Sequence, residues 1–180
     1  MTKPKISSDW LAACAGCHMS LLDIDERIVQ VAELTDIRAT PITDFKEPDE
    51  EGVDVGILTG AINTTTNEEV AQRMRERCKV LAALGDCAVF GGVVAMRNFH
   101  NLEDALRRAY IETESTDAEG KIPASPELGK PTRVRAVKEV VEVDISIPGC
   151  PPPAEVIYYA LSELAQGRIP EIKEDKIHWD

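Results

Sequence analysis

Val53-Asp54-Val55-Gly56-Ile57-Leu58-Thr59-Gly60 is nearly all apolar and does not alternate cleanly. A strand with one wet face alternates apolar and polar residues. A strand buried on both faces does not, and that second pattern belongs to parallel sheets covered by helices. After this run, residues 63–66 are polar and read as a turn. Asn67 is a credible N-cap there, with Glu68 and Glu69 in the first turn of a helix reaching about Arg77. Residues 79–85 form a second apolar strand that closes at Gly85-Asp86-Cys87, and Gly91 and Gly92 allow a tight turn or helix to begin under that thiol.

Reading outward toward the N-terminus, residues 36–43 form a short β-type run, followed by an acidic, Pro-containing connection over 44–52. Residues 20–34 place Leu21, Leu22, Ile24, Ile28, Val31 and Leu34 at near-helical spacing, which predicts one crossover helix capped by Ser20 or Asp23. Ile6, Trp10 and Leu11 predict a first strand over 5–12. Toward the C-terminus, Leu102, Ala105, Leu106, Ala109 and Tyr110 mark another helical face, and residues 112–132 read as a long loop. Val140, Val141, Val143, Ile145 and Ile147 predict a last strand. Pro151, Pro152 and Pro153 then initiate a helix carrying Val156, Ile157, Ala160, Leu161 and Leu164, with Gly167 as its stop and a charged tail over 168–180. Strand and helix alternate about five times, so the expected fold is α/β: a flavodoxin-like doubly wound parallel sheet, strand order 2-1-3-4-5. One domain over residues 1–180 is the expectation from length.

Composition narrows the class. The chain has 32 acidic against 20 basic residues, a formal charge of −12, and no stretch that gathers Lys or Arg into a stripe for phosphates. Nucleic acid is not an expected partner. The first residues hold no apolar signal region or twin arginine, and no apolar run is long enough for a membrane span, so a cytoplasmic location is expected. Five cysteines in a reducing compartment favour metal or redox chemistry over disulfides.

The chemistry gathers at Cys14-Ala15-Gly16-Cys17, which follows strand one, at Cys87 after the fourth predicted strand, and at Cys150, in Pro148-Gly149-Cys150-Pro151-Pro152-Pro153, after the fifth. Parallel strands end at one edge, so the pattern delivers all four thiols to one rim, where such sheets hold ligands. Four thiolates carry a formal charge of −4 and need a cation between them. Zinc and iron–sulfur clusters both accept four cysteines. Structural zinc usually takes two tight pairs, whereas one pair and two singletons on separate loops favour a cluster.

The stretch Trp10-Leu11-Ala12-Ala13-Cys14-Ala15-Gly16-Cys17-His18-Met19-Ser20-Leu21-Leu22-Asp23, followed by Gly85-Asp86-Cys87-Ala88-Val89-Phe90-Gly91-Gly92 and Pro148-Gly149-Cys150-Pro151-Pro152, resembles the small subunit of [NiFe]-hydrogenases. The first motif most resembles the cytoplasmic NAD-linked, bidirectional branch. The resemblance implies that Cys14, Cys17, Cys87 and Cys150 bind one [4Fe-4S] cluster, as metal ligands in a chain without catalytic residues of its own. The implied oxidoreductase is an NAD-dependent hydrogen dehydrogenase. Its implied partners are a large subunit that holds the nickel–iron site and diaphorase subunits that carry flavin and further clusters. Many relatives continue into a second cluster-bearing domain, and this chain has cysteines for one cluster. Many also carry Glu where Thr59 stands, which puts a proton-handling role for that position in doubt.

Two other readings compete. The cluster-bearing subunit of respiratory complex I has adjacent cysteines in its first motif, where Ala15 and Gly16 intervene here. A flavodoxin-like flavin module with a structural zinc is the other. FMN could use the Gly-, Thr- and Asn-rich residues 59–67 as a phosphate cradle, but the first βα turn, the usual phosphate site of such folds, is taken by the cysteine pair. Cys78 matches no motif and reads as a spare buried thiol. His18 reads either as a hydrogen-bond donor to a cluster sulfur or as a packed loop residue, while His100 and His178 read as ordinary helix-edge and tail residues. The amides of the Ala15-Gly16 and Gly91-Gly92 turns are the candidate donors to sulfur.

Overall fold

The computed structural model describes residues 3–117 and 119–172; His178 and most of the charged tail lie outside the described residues. A five-stranded sheet is built from β1 (Lys5–Trp10), β2 (Asp36–Ala39), β3 (Val53–Thr59), β5 (Cys78–Leu84) and β7 (Ile145–Ile147), in the order β2-β1-β3-β5-β7. Every pairing in it is parallel. Numbered within the sheet alone, this is the expected 2-1-3-4-5 order.

β3 occupies the centre, and all but one of its residues are buried, which is why its sequence fails to alternate. One face of the sheet packs Ile6, Val55, Ile57, Leu84 and Ile147 against Ile24, Val31, Ile157, Leu161 and Leu164 from α2 (Arg27–Leu34), α6 (Ala154–Ala165) and the segment before α2. The other packs Leu58, Leu81 and Ala83 against Ala71 and Met74 of α3 (Thr65–Arg77), with Ala88 and Val89 of α4 (Asp86–Phe90). Complete burial of a side chain such as Leu58 or Ile157 stabilises by roughly 1.5–3 kcal/mol.

Four elements depart from the sequence expectation. The single crossover helix over 20–34 is two helices, α1 (Gly16–Leu22) and α2, because Asp25 takes a left-handed φ of 55° and Ile24 turns inward to become fully buried. The cap of α3 is Thr64, whose Oγ1 accepts the N–H of Asn67 at 3.2 Å, so Asn67 lies inside the helix. The last strand covers Ile145–Ile147 alone; Val140, Val141 and Val143 lie outside it and pack on the α3-side core. The amides of Val140 and Val141 both donate to the carbonyl of Val137, a tight turn that no strand can share. Finally, β4 (Ile62–Thr64) pairs antiparallel with β6 (Pro131–Arg135), a ribbon absent from the sequence reading. α5 (Leu102–Tyr110) forms as expected, with Asn101 as its cap, and residues 111–130 hold no helix or strand among those described.

Candidate metal centre

Cys14, Cys87 and Cys150 each follow the C-terminal end of a strand of the parallel sheet, and Cys17 sits in the first turn of α1 immediately beyond Cys14. The chain leaves β1 through an Ala12–Ala61 bridge, and Ala15 then takes a left-handed φ of 66° that starts α1. The N–H of Gly16 points back at Cys14 Sγ, 3.4 Å away. α4 begins at Asp86, so Cys87 likewise lies in a first turn, while Cys150 sits on the loop between β7 and α6. Cys14 and Cys150 are exposed; Cys17 and Cys87 are partly covered.

The thiols are close enough to repel one another as anions. Burial, then the negative charges of Cys87, Cys14, Cys150 and Asp86, push Cys17 up to about 12. Cys87 is also raised, by burial first and then by Cys150 and Cys14, against the opposing effect of backbone N–H groups of Val94 and Val93. Those two amides, just beyond the predicted Gly91-Gly92 pair, favour the anionic form of this sulfur, whereas the N–H of Gly91 goes to the carbonyl of Cys87. Left to themselves Cys17 and Cys87 hold their protons, and a positive centre would draw those protons off. Among the described residues no three His, Cys, Asp or Glu side chains are grouped tightly enough to hold a metal ion.

Glycine makes the crowding possible. A Cβ on Gly85, at φ 88°, would lie 2.3 Å from Cys17 Sγ, and one on Gly92, at φ 49°, would lie 3.0 Å from Cys87 Sγ. Exposed apolar groups follow the thiols along the chain. Phe90, Val93, Met96 and Phe99 follow Cys87, and Met19 and Leu22 follow Cys17.

His18 turns away from the rim. It is 4% exposed, with Nε2 3.1 Å from Ser8 Oγ, Nδ1 3.3 Å from Thr59 Oγ1 and the Trp10 ring edge-on at 5.6 Å. Both ring nitrogens are engaged, which leaves none for a sulfur, and burial lowers its pKa. Thr59, fully buried beside it, is a partner of this histidine. Cys78 lies at the opposite end of β5 from Cys87, buried against Gly56 and Met74. The candidate phosphate cradle is filled by the unpredicted ribbon: the N–H of Thr65 goes to the carbonyl of Lys130, that of Asn67 to Thr64 and that of Asn63 to Asn67. Sequence reasoning missed Asp86 and Ser20, both hydrogen-bonded to the Cys150 loop; Asp86 stands next to a candidate ligand, which was the one available signal.

Residues 14–164 match the family described as NADH ubiquinone oxidoreductase, 20 Kd subunit. The chain is 36% identical to the NAD-reducing hydrogenase HoxS subunit delta of Cupriavidus necator, over 92% of this chain and 80% of that one. It is equally identical to a subunit of the F420-non-reducing hydrogenase of Methanothermobacter thermautotrophicus, over 97% of this chain but 58% of that one, so it spans little more than half of such relatives. A chain in the crystal structure of an NAD+-reducing [NiFe]-hydrogenase in its H2-reduced state superposes with a TM-score of 0.94 at 35% identity, covering 99% of this chain and all of that one. A [NiFeSe]-hydrogenase chain from Desulfomicrobium baculatum, at 17% identity and a TM-score of 0.58 over 97% of this chain and 69% of that one, shares the fold. No helix among the described residues is long and apolar enough to cross a membrane. On this match and these identities the chain belongs to the NADH ubiquinone oxidoreductase, 20 Kd subunit family, and it is similar to subunits of NAD-reducing and F420-non-reducing hydrogenases.

Proposed function

We propose that the chain is a single flavodoxin-like iron–sulfur domain serving as the electron-relay small subunit of a cytoplasmic, NAD-reducing [NiFe]-hydrogenase. Cys14, Cys17, Cys87 and Cys150 hold one [4Fe-4S] cluster. The observation that carries this reading is placement: Cys14, Cys87 and Cys150 follow three strand ends of one parallel sheet, with Cys17 in the first helical turn beyond Cys14. Cys17 and Cys87 both feel the other thiols as negative neighbours. A centre that brings positive charge and accepts four cysteines from separate loops suits that placement.

The cluster would supply one-electron redox capacity; the protein does the rest. The N–H groups of Gly16, Val93 and Val94 aim at ligand sulfurs, and such donors stabilise the more negative, reduced state. The apolar rim at Phe90, Val93, Met96 and Phe99 is the surface a large subunit would cover, excluding water from the electron path. A diaphorase module with flavin and further clusters would exchange electrons on the other side. The match to a chain of an NAD+-reducing enzyme over the full length of both supports this branch over the complex I reading, as do Ala15 and Gly16 between the first two cysteines. FMN on this chain is disfavoured by the engaged amides at residues 63–67.

Anaerobic purification with visible spectra and iron, sulfide and nickel analysis tests the proposal. A broad brown absorbance with about four irons and four sulfides per chain, and nickel in a co-purifying partner, is expected. Cys87→Ala should abolish the cluster and Cys78→Ala should leave it nearly intact; the reverse pattern overturns the ligand assignment. A colourless chain containing zinc, or a two-banded yellow flavin spectrum, overturns the cluster itself.

A further inference from the structure

The Cys150 thiol is exposed and stands on a loop without regular structure, so nothing about its own element fixes where it points. Two residues hold that loop from opposite sides. Asp86 donates its backbone N–H to the carbonyl of Gly149 at 2.8 Å, and its Oδ1 accepts the N–H of Gly149 at 2.8 Å. The pair of bonds closes a small ring between the residue before Cys87 and the residue before Cys150. On the far side, Ser20 donates from Oγ to the carbonyl of Pro152 at 2.6 Å, from a buried position on α1 one turn beyond Cys17. Gly149, at φ 139°, lies so close to Pro152 that a Cβ would sit 2.4 Å from its Cα, which holds the two anchor points together.

We propose that Asp86 and Ser20 are positioning residues that set the place of Cys150 relative to Cys87 and Cys17, and that Asp86 also sets the electron affinity of the centre. The inference rests on the cluster reading above. Each brace ties the Cys150 loop to the element bearing another ligand, so the backbone of the loop can shift relative to that element only if a hydrogen bond breaks. An acceptor in a carboxylate makes the stronger bond, and outer-shell partners of this kind orient ligands and tune potentials. The carboxylate adds negative charge beside the centre, which opposes entry of an electron and holds the potential down. Asparagine presents the same Oδ1 without the charge, so geometry and charge can be separated.

The test uses the full chain with its partners, purified anaerobically, as wild type, Asp86→Asn, Asp86→Ala and Ser20→Ala. Three quantities are read: iron and sulfide per chain, hydrogen exchange of the Gly149 amide, and midpoint potential. Asp86→Asn should keep wild-type iron, keep Gly149 better protected than Asp86→Ala does, and shift the potential to a more positive value. Asp86→Ala should speed Gly149 exchange by about tenfold, the order of one hydrogen bond to a charged group, and lose iron; Ser20→Ala should lose iron to a smaller extent. Wild-type iron and unchanged exchange in both alanine variants overturn the positioning role, and an unshifted potential in Asp86→Asn overturns the electrostatic one. Should Asp86→Ala not fold, Ser20→Ala and Asp86→Asn decide by the same criteria. A wild-type chain without iron and sulfide overturns the underlying cluster reading instead.

Discussion

Replacing Gly85 by alanine strikes the packing of the thiol rim without touching a sulfur. Gly85 stands at φ 88°, ψ 159°, a region that only glycine occupies comfortably, and forcing another residue into it costs about 1–3 kcal/mol. The new Cβ would also lie 2.3 Å from Cys17 Sγ, well inside the ~3.5–4 Å at which carbon-sized atoms attract. The sulfur must therefore withdraw by roughly 1 Å or more, and overpacking of this kind costs about 1–3 kcal/mol more. Together the change removes roughly 2–6 kcal/mol, a large share of the ~5–15 kcal/mol that ordinarily separates folded from unfolded chains. Gly167→Ala is the control. It too has positive φ, at 73°, but nothing lies within 4 Å of its Cβ, so it carries the backbone cost alone, about 1–2 kcal/mol. Urea unfolding under reducing conditions, followed by far-ultraviolet circular dichroism with iron and sulfide measured in parallel, compares them. Gly85→Ala should lower the midpoint well beyond Gly167→Ala and should fail to hold iron. Equal midpoints with equal iron would refute the argument that glycine is required to seat Cys17.

Other outcomes follow from particular groups. Burial lowers the pKa of His18, so the folded chain resists protonating it while the unfolded chain does not. Its stabilising contribution is complete above pH ~6.5 and is lost as pH falls through the lower folded value. The urea midpoint measured from pH 7.5 down to 5 should fall accordingly, and His18→Gln should flatten the fall; an unchanged slope counts against burial as the cause. Phe99 and Val93 are 86% and 67% exposed. Changing both to Glu should leave iron content intact while reducing large-subunit co-purification by tenfold or more, since charges would be placed in the centre of an apolar contact. Full recovery of the partner would move the interface elsewhere.

Short-range chemistry made much of the architecture legible. A central parallel strand must be apolar on both faces, so β3 and β5 were visible as unbroken runs, and the 3.6-residue spacing of α6 and of the face of α5 is a local signal that survives in any context. Because parallel strands share a direction, placing Cys14, Cys87 and Cys150 after strands was enough to put them at one edge without coordinates. What failed was everything whose cause lies far away in the chain. The β4–β6 ribbon joins segments roughly 70 residues apart, and its few polar residues look like turns until the partner is present. The break between α1 and α2 exists because Ile24 must reach the core, a demand no propensity at Asp25 announces. His18 adjoins a candidate ligand, yet the first turn of α1 directs it between Ser8 and Thr59, away from the rim.

The sequence by itself determined the order of the sheet, the residues that fill its core and the edge where the sulfurs gather, because burial on both faces and the directionality of parallel strands leave few alternatives. Only the tertiary structure decided how those sulfurs are held: Gly85 yielding its side-chain space to Cys17, and Asp86 and Ser20 gripping the Cys150 loop. These are contacts between ends of strands remote in sequence, fixed at the scale of a single hydrogen bond, and they come into being only when the chain has closed around its core.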